Sequence, residues 1–127
     1  MCLATPTIIP YIINTDIICY KILITTKEGL KSPYMEFIFP LRQIMVDQVE
    51  AEPVNTFGLY IIEKGYFHSY QTKEAARNKI RQLSRRMPKN QILKVYKASI
   101  PAGTEFFKGQ YEDLCSKSLQ ILEECFD

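Results

Sequence analysis

One stretch of helical periodicity, set among apolar runs too short and too β-branched to be helices, constrains this chain most. After Thr72, the residues Ala76, Ile80, Leu83 and Met87 recur at helical spacing and form a single apolar stripe. Thr72 is a suitable N-cap, because its hydroxyl oxygen can accept an early helical N–H. Pro88 and Asn90 follow the stripe, where a helix is expected to stop.

The rest of the chain reads as strands. Ile17 to Thr25 is rich in β-branched and aromatic residues and predicts a buried strand, closed by a turn at Lys27-Glu28-Gly29. Tyr34 to Phe39 predicts a second strand. Pro33 and Pro40 bracket it, and proline cannot donate to a ladder, so an edge position is expected. Ile44 to Val49 is a short third candidate, and Glu50 to Asn55 reads as an exposed loop. Gly58 to Ile62, Ile92 to Ile100 and Glu105 to Lys108 are further strands. The segment 111–125 fits either a strand, through alternation at Ser118-Leu119-Gln120-Ile121, or a helix, through Leu114, Ser118, Ile121, Leu122 and Cys125; the strand is favoured. The sum is an α+β domain over residues 1–127: a mainly antiparallel, mixed sheet with one main amphipathic helix packed on it. The helix is expected to join two strands by a crossover, and the other connections are expected to be hairpins.

Length and composition agree with one globular domain. The chain has 127 residues, 46% apolar and 24% charged. The net charge of +2 is too small to imply a polyanionic partner for the whole molecule, but the charge is unevenly placed. Seven basic residues and one acid, Glu74, lie between Lys73 and Lys89. The four cysteines (Cys2, Cys19, Cys115, Cys125) show no C-x-x-C spacing, and with one histidine they do not make a zinc site. The first residues lack the basic start of a secretory signal. The apolar stretch Ile8–Ile24 is broken by Pro10, Asn14, Asp16 and Lys21, so it is a poor membrane span. A cytoplasmic location with reduced thiols is expected.

Two surfaces are candidates for function. The first is Gly65-Tyr66-Phe67-His68-Ser69-Tyr70, which ends at the predicted helix N-terminus. Helix N-termini present free N–H groups to anions, and His68, Ser69 and Tyr70 could add side-chain donors there. The second is the basic face of the helix, where Lys73, Arg77, Arg81 and Arg85 repeat at i, i+4. Such a face is either a solvated surface or a site for an acidic protein or nucleic-acid phosphates. Cys115 with His68 is a candidate catalytic dyad. Cys2 could serve as an N-terminal nucleophile, although no base is placed beside it. Phosphate-loop, dinucleotide-binding and nucleophile-elbow motifs are absent from the sequence.

Several fragments carry a resemblance. Met1-Cys2-Leu3, Tyr20-Lys21-Ile22-Leu23, Ser32-Pro33-Tyr34, Gly65–Tyr70, Ile100-Pro101-Ala102-Gly103-Thr104 and Cys115-Ser116-Lys117-Ser118, in that order, resemble a group of small proteins of gut Bacteroides-type bacteria and their phages. The likeness brings no expectation of an activity. Ser116-Lys117-Ser118 is also similar to the Ser-x-Ser motif that begins a strand in the ADP-ribosyltransferase fold, and makes Ser116 a ligand-binding candidate. Those enzymes place a catalytic glutamate well downstream, whereas Glu123 and Glu124 come too early here.

The expectation is therefore a binding or interaction module rather than an enzyme, with a small anionic ligand or an acidic protein as partner. The alternatives are an enzyme of cysteine-dependent or ADP-ribosyltransferase-like type, and nucleic-acid binding through the helix. No cofactor, metal or membrane partner is expected. An edge strand at 34–39 could pair with a second copy to give a homodimer.

Overall fold

The structure is a computed structural model that describes residues 3–6, 9–33, 38–47, 51, 53–62, 66–86 and 91–126. In chain order the strands before the helix are β1 (Leu3–Thr5), β2 (Tyr11–Ile12), β3 (Ile17–Thr26), β4 (Gly29–Lys31), β5 (Ile38–Phe39), β6 (Ile44–Val46), β7 (Val54–Thr56), β8 (Leu59–Ile62) and β9 (Phe67–Tyr70). The helix α1 (Lys73–Leu83) follows, and then β10 (Leu93–Ile100), β11 (Glu105–Lys108), β12 (Asp113–Ser116) and β13 (Ser118–Glu124).

The strands form two sheets. The large one runs β2-β11-β12-β9-β3-β10-β13-β6, with β4 pairing both β3 and β5; the small one runs β1-β8-β7. Every ladder among the described residues is antiparallel, and the one parallel pairing is an isolated bridge between Leu41 and Ile121. A mainly antiparallel sheet with one helix is the expected α+β class. Both β9 and β10 run antiparallel to β3, so they are parallel to each other and α1 connects them.

Strand alternation assigns the two faces of the large sheet. Along β3, Cys19, Lys21 and Leu23 share one face, and Tyr20, Ile22 and Ile24 the other. The first face holds a core of Cys19, Leu23, Phe39, Phe67, Ala98, Ile100, Phe106, Leu114, Leu119 and Ile121, with Tyr96 beside them. Phe39 closes over it, its ring edge-on to Phe67 at 5.7 Å between centroids. The second face is covered in two places. Ala76 and Leu83 of α1 are buried with Ile22, Tyr70 and Val95. Leu3 and Ile62 of the small sheet are buried with Tyr66, Phe107 and Cys115. Side chains such as Leu3 and Ile62, with no exposed surface, each contribute about 1.5–3 kcal/mol by leaving water.

Several expectations are corrected. The strands do not form one sheet, and β8 and β9 are not a hairpin, because they belong to different sheets. Val54 and Asn55, expected in a loop, lie in β7, which turns into β8 through Phe57 and Gly58. Both turn residues have positive φ, 50° and 87°, as a tight hairpin turn demands. β1, β2 and β4 went unforeseen. The C-terminal segment 111–125 is extended, as favoured, and forms two strands, β12 and β13. Of the strand expected at 34–39, residues 34–37 lie outside the described residues, as do Met87, Pro88 and Asn90 after the helix.

Candidate functional site

The sequence around the lone histidine folds into β9, and alternation splits it. Phe67 and Ser69 face the first core, and His68 and Tyr70 face the other side. β12 pairs with β9 so that Cys115 stands opposite His68, Leu114 opposite Ser69 and Ser116 opposite Phe67. The proposed ligand residues therefore do not share a surface. Ser69 and Ser116 have no exposed surface, and Tyr70 is buried. The Ser116 hydroxyl is used internally, donating to Ser118 O at 2.9 Å.

Register brings His68 and Cys115 together across 47 residues of chain, with Nε2 3.8 Å from Sγ. Both groups are held neutral. Burial pushes the Cys115 thiol up to about 12. Burial, and then the nearby Lys21 cation, pushes His68 down to about 3. An activated pair would need the opposite shifts, a thiolate beside an imidazolium. As folded, the two side chains are a thiol and a neutral imidazole. His68 is partly covered as a residue, yet its Nδ1 is enclosed and has no hydrogen-bond partner among the described residues.

The unforeseen member of this region is Lys21. It sits in the middle of β3 with 7% of its surface exposed. Its Nζ donates to the backbone oxygen of His68 at 2.5 Å and lies 5.3 Å from the centre of the Phe39 ring. Among the described residues no carboxylate pairs with it. Burial lowers its pKa to about 8, against smaller opposing effects from Cys19 and Cys115. Across the strand pair, Ser69 Oγ is buried without a hydrogen-bond partner. It lies close enough to the Cys19 thiol to offset part of the burial that pushes that thiol to about 11, without completing a bond of sound geometry. The signal for Lys21 was available. Alternation from Cys19 and Leu23 points a side chain at position 21 inward.

The basic residues follow directly after β9. Thr72 caps α1 as expected, its Oγ1 accepting from Ala75 N at 3.1 Å. Lys73 and Arg77 are half-buried, and Arg81 and Arg85 are exposed. Arg81 donates to Asn78 Oδ1 at 2.9 Å, a bond within the helix surface.

Among the described residues Cys19, Cys115 and Cys125 are not joined in disulfides, while Cys2 lies outside the described residues. No group of three or more His, Cys, Asp or Glu suited to a metal occurs among the described residues. No helix among them is long and apolar enough to cross a membrane. Comparison with known protein families, curated proteins and solved structures finds no match to this chain.

Proposed function

We propose that this chain is a non-enzymatic binding module that engages an acidic protein partner through the outer side of α1. In this reading the helix is amphipathic, its apolar stripe resting on the sheet and its basic side turned to the partner. One observation carries it. From Lys73 to Arg86 the chain bears six basic side chains (Lys73, Arg77, Lys79, Arg81, Arg85, Arg86), none of them buried, against the single acid Glu74. Four of these (Lys73, Arg77, Lys79, Arg81) lie on a helix of 11 residues, about 16 Å long, and Arg85 and Arg86, expected on the helix face, follow its C-cap Ser84 in a turn. An array of that length suits an extended anionic surface better than a compact ligand. The neutral His68 and the buried Tyr70, Ser69 and Ser116 add no charge to a pocket at the helix start. The lack of disulfides among the described cysteines supports a reducing, cytoplasmic setting.

The test is fluorescence anisotropy with labelled poly-L-glutamate and with duplex DNA, over a range of salt, for the parent and an Arg81→Glu/Arg85→Glu variant. Parent binding to polyglutamate that the double variant loses supports the reading. Equal binding by both proteins, or none by either, overturns it. Preference for DNA with a steep salt slope would instead assign the face to phosphates.

A further inference from the structure

We propose that the free edge of β6 is a self-pairing site, through which two copies of this chain associate antiparallel about a two-fold axis at Met45. The ladder itself shows which backbone groups are free. On its inner side β6 pairs with β13 in the register Ile44 to Gln120, Met45 to Leu119 and Val46 to Ser118. One step further, Asp47 N donates to Lys117 O at 2.9 Å while Lys117 N donates to Glu105 O at 3.0 Å, so position 47 turns its N–H towards β13 in a one-way bond. Hydrogen-bonded pairs alternate along an antiparallel ladder. Met45 is then also bonded to β13, while Ile44 and Val46 turn their N–H and C=O groups outward. No described residue meets them.

The side chains on this edge are unguarded as well. Ile44 is 53% exposed, Val46 48% and Leu41 55%, whereas Met45 between them packs against the first core. Proteins protect sheet edges with charge, proline, bulges, covering segments or very short strands, and three-residue β6 has the last of these. None of the first three occurs within Ile44–Val46. The opposite edge of the sheet differs. There the Lys108 ammonium lies 5.3 Å over the ring of Tyr11 in β2, a cation placed at the edge.

A second copy fits this edge better than an arbitrary strand because β6 is complementary to itself. A two-fold axis at Met45 sets each Ile44 opposite the partner's Val46, and these are the residues whose backbone groups face outward. Two apolar cross-strand pairs form, and each Gln43 meets the partner's Asp47, so no like charges oppose. The pairing closes at two copies, as an isologous contact must. With three strand residues per copy the contact is small, so association is weak and concentration-dependent.

Sedimentation equilibrium over a wide concentration range tests this, using the parent, an Ile44→Lys/Val46→Lys variant and an Ile12→Lys variant on the β2 edge. The exposed positions leave the cores intact, and matching thermal melts verify that each variant folds. The expected result is a monomer–dimer equilibrium in the parent, unchanged by Ile12→Lys and weakened at least about tenfold by the β6 pair, since apposed like charges oppose strand pairing. A monomer at every concentration, a dimer insensitive to the β6 pair, or open-ended growth that Ile12→Lys abolishes would each overturn the proposal; the last would mean β6 pairing with β2 of the next copy.

Discussion

Replacing Lys21 with methionine should make this protein more stable near pH 7, although the wild-type side chain donates a hydrogen bond and lies over an aromatic ring. Burial lowers the folded-state pKa to about 8, from 10.5 for a free lysine. The native state thus binds fewer protons than the unfolded chain between those values, and stability from this group rises with pH through that window. Below it, both states are charged and the folded state carries the whole penalty. At about 1.36 kcal/mol per unit, the burden near neutrality is about 3 kcal/mol. Methionine removes the charge and keeps most of the packing volume. It gives up a bond to His68 O worth about 1 kcal/mol to a neutral amine. The net gain expected for Lys21→Met is about 2 kcal/mol near pH 7, shrinking towards zero or below as the pH approaches the unfolded lysine's pKa. Urea unfolding of both proteins in a reductant, from neutral pH to about pH 10, reads the difference directly. Burial raises the thiols of Cys19 and Cys115 and the Lys21 cation lowers both, so its removal raises them further, destabilises Lys21→Met at high pH and adds to the narrowing of the gap. A Lys21→Met variant less stable than the parent near pH 7, or a gap that does not change with pH, would refute the reasoning.

Two further outcomes follow from the same region. A Cβ at Gly109 would clash with Asp113 Oδ1 and lie 2.6 Å from its Cγ, and Asp113 is 5% exposed and accepts from Tyr111 N. Gly109→Ala should therefore lose about 2 kcal/mol, and a double-mutant cycle with Asp113→Ala should show less than additive loss, because the second change removes the clash. His68, at about 3 when folded, stays neutral while the unfolded chain takes up a proton below about 6.5, so stability from this group is lost as pH falls through that interval. At about pH 4.5 the loss is about 3 kcal/mol, and a His68→Gln variant should show correspondingly less acid destabilisation in urea titrations.

What could be read from the residues in advance is what depends on near neighbours. Thr72, Ala76, Ile80 and Leu83 announce α1 within one segment, and the cap forms at the residue that announced it. The β-branched run from Ile17 announces β3 in the same way. β1, with three residues, is too short to announce itself, and β12, with all four residues buried, carries no alternation of its own, so the strand favoured over 111–125 rested on Ser118 to Ile121 alone. Their existence rests on partners far along the chain, Tyr60 to Ile62 for one and Phe67 to Tyr70 for the other. The division into two sheets has the same origin. It depends on where β8 pairs, which the composition of β8 does not record.

The same distinction explains why the candidate residues around His68 scattered when the chain folded. Nearness in sequence placed His68, Ser69 and Tyr70 together, but in a strand adjacent side chains point to opposite faces. The true neighbours of His68 are Cys115 across the ladder and Lys21 beneath it. On a helix the relevant spacing is three to four residues, and Lys73, Arg77 and Arg81 of α1 recur at i, i+4, which is why that pattern survives folding better than a run of adjacent residues in a strand. For a strand-built protein, then, a cluster of chemically able residues within one strand argues against a shared site. A lone polar residue at an inward position, as Lys21 is between Cys19 and Leu23, is the better guide. Its charge opposes burial, so the packing around it has to hold it there, and that tension is what the Lys21→Met comparison measures.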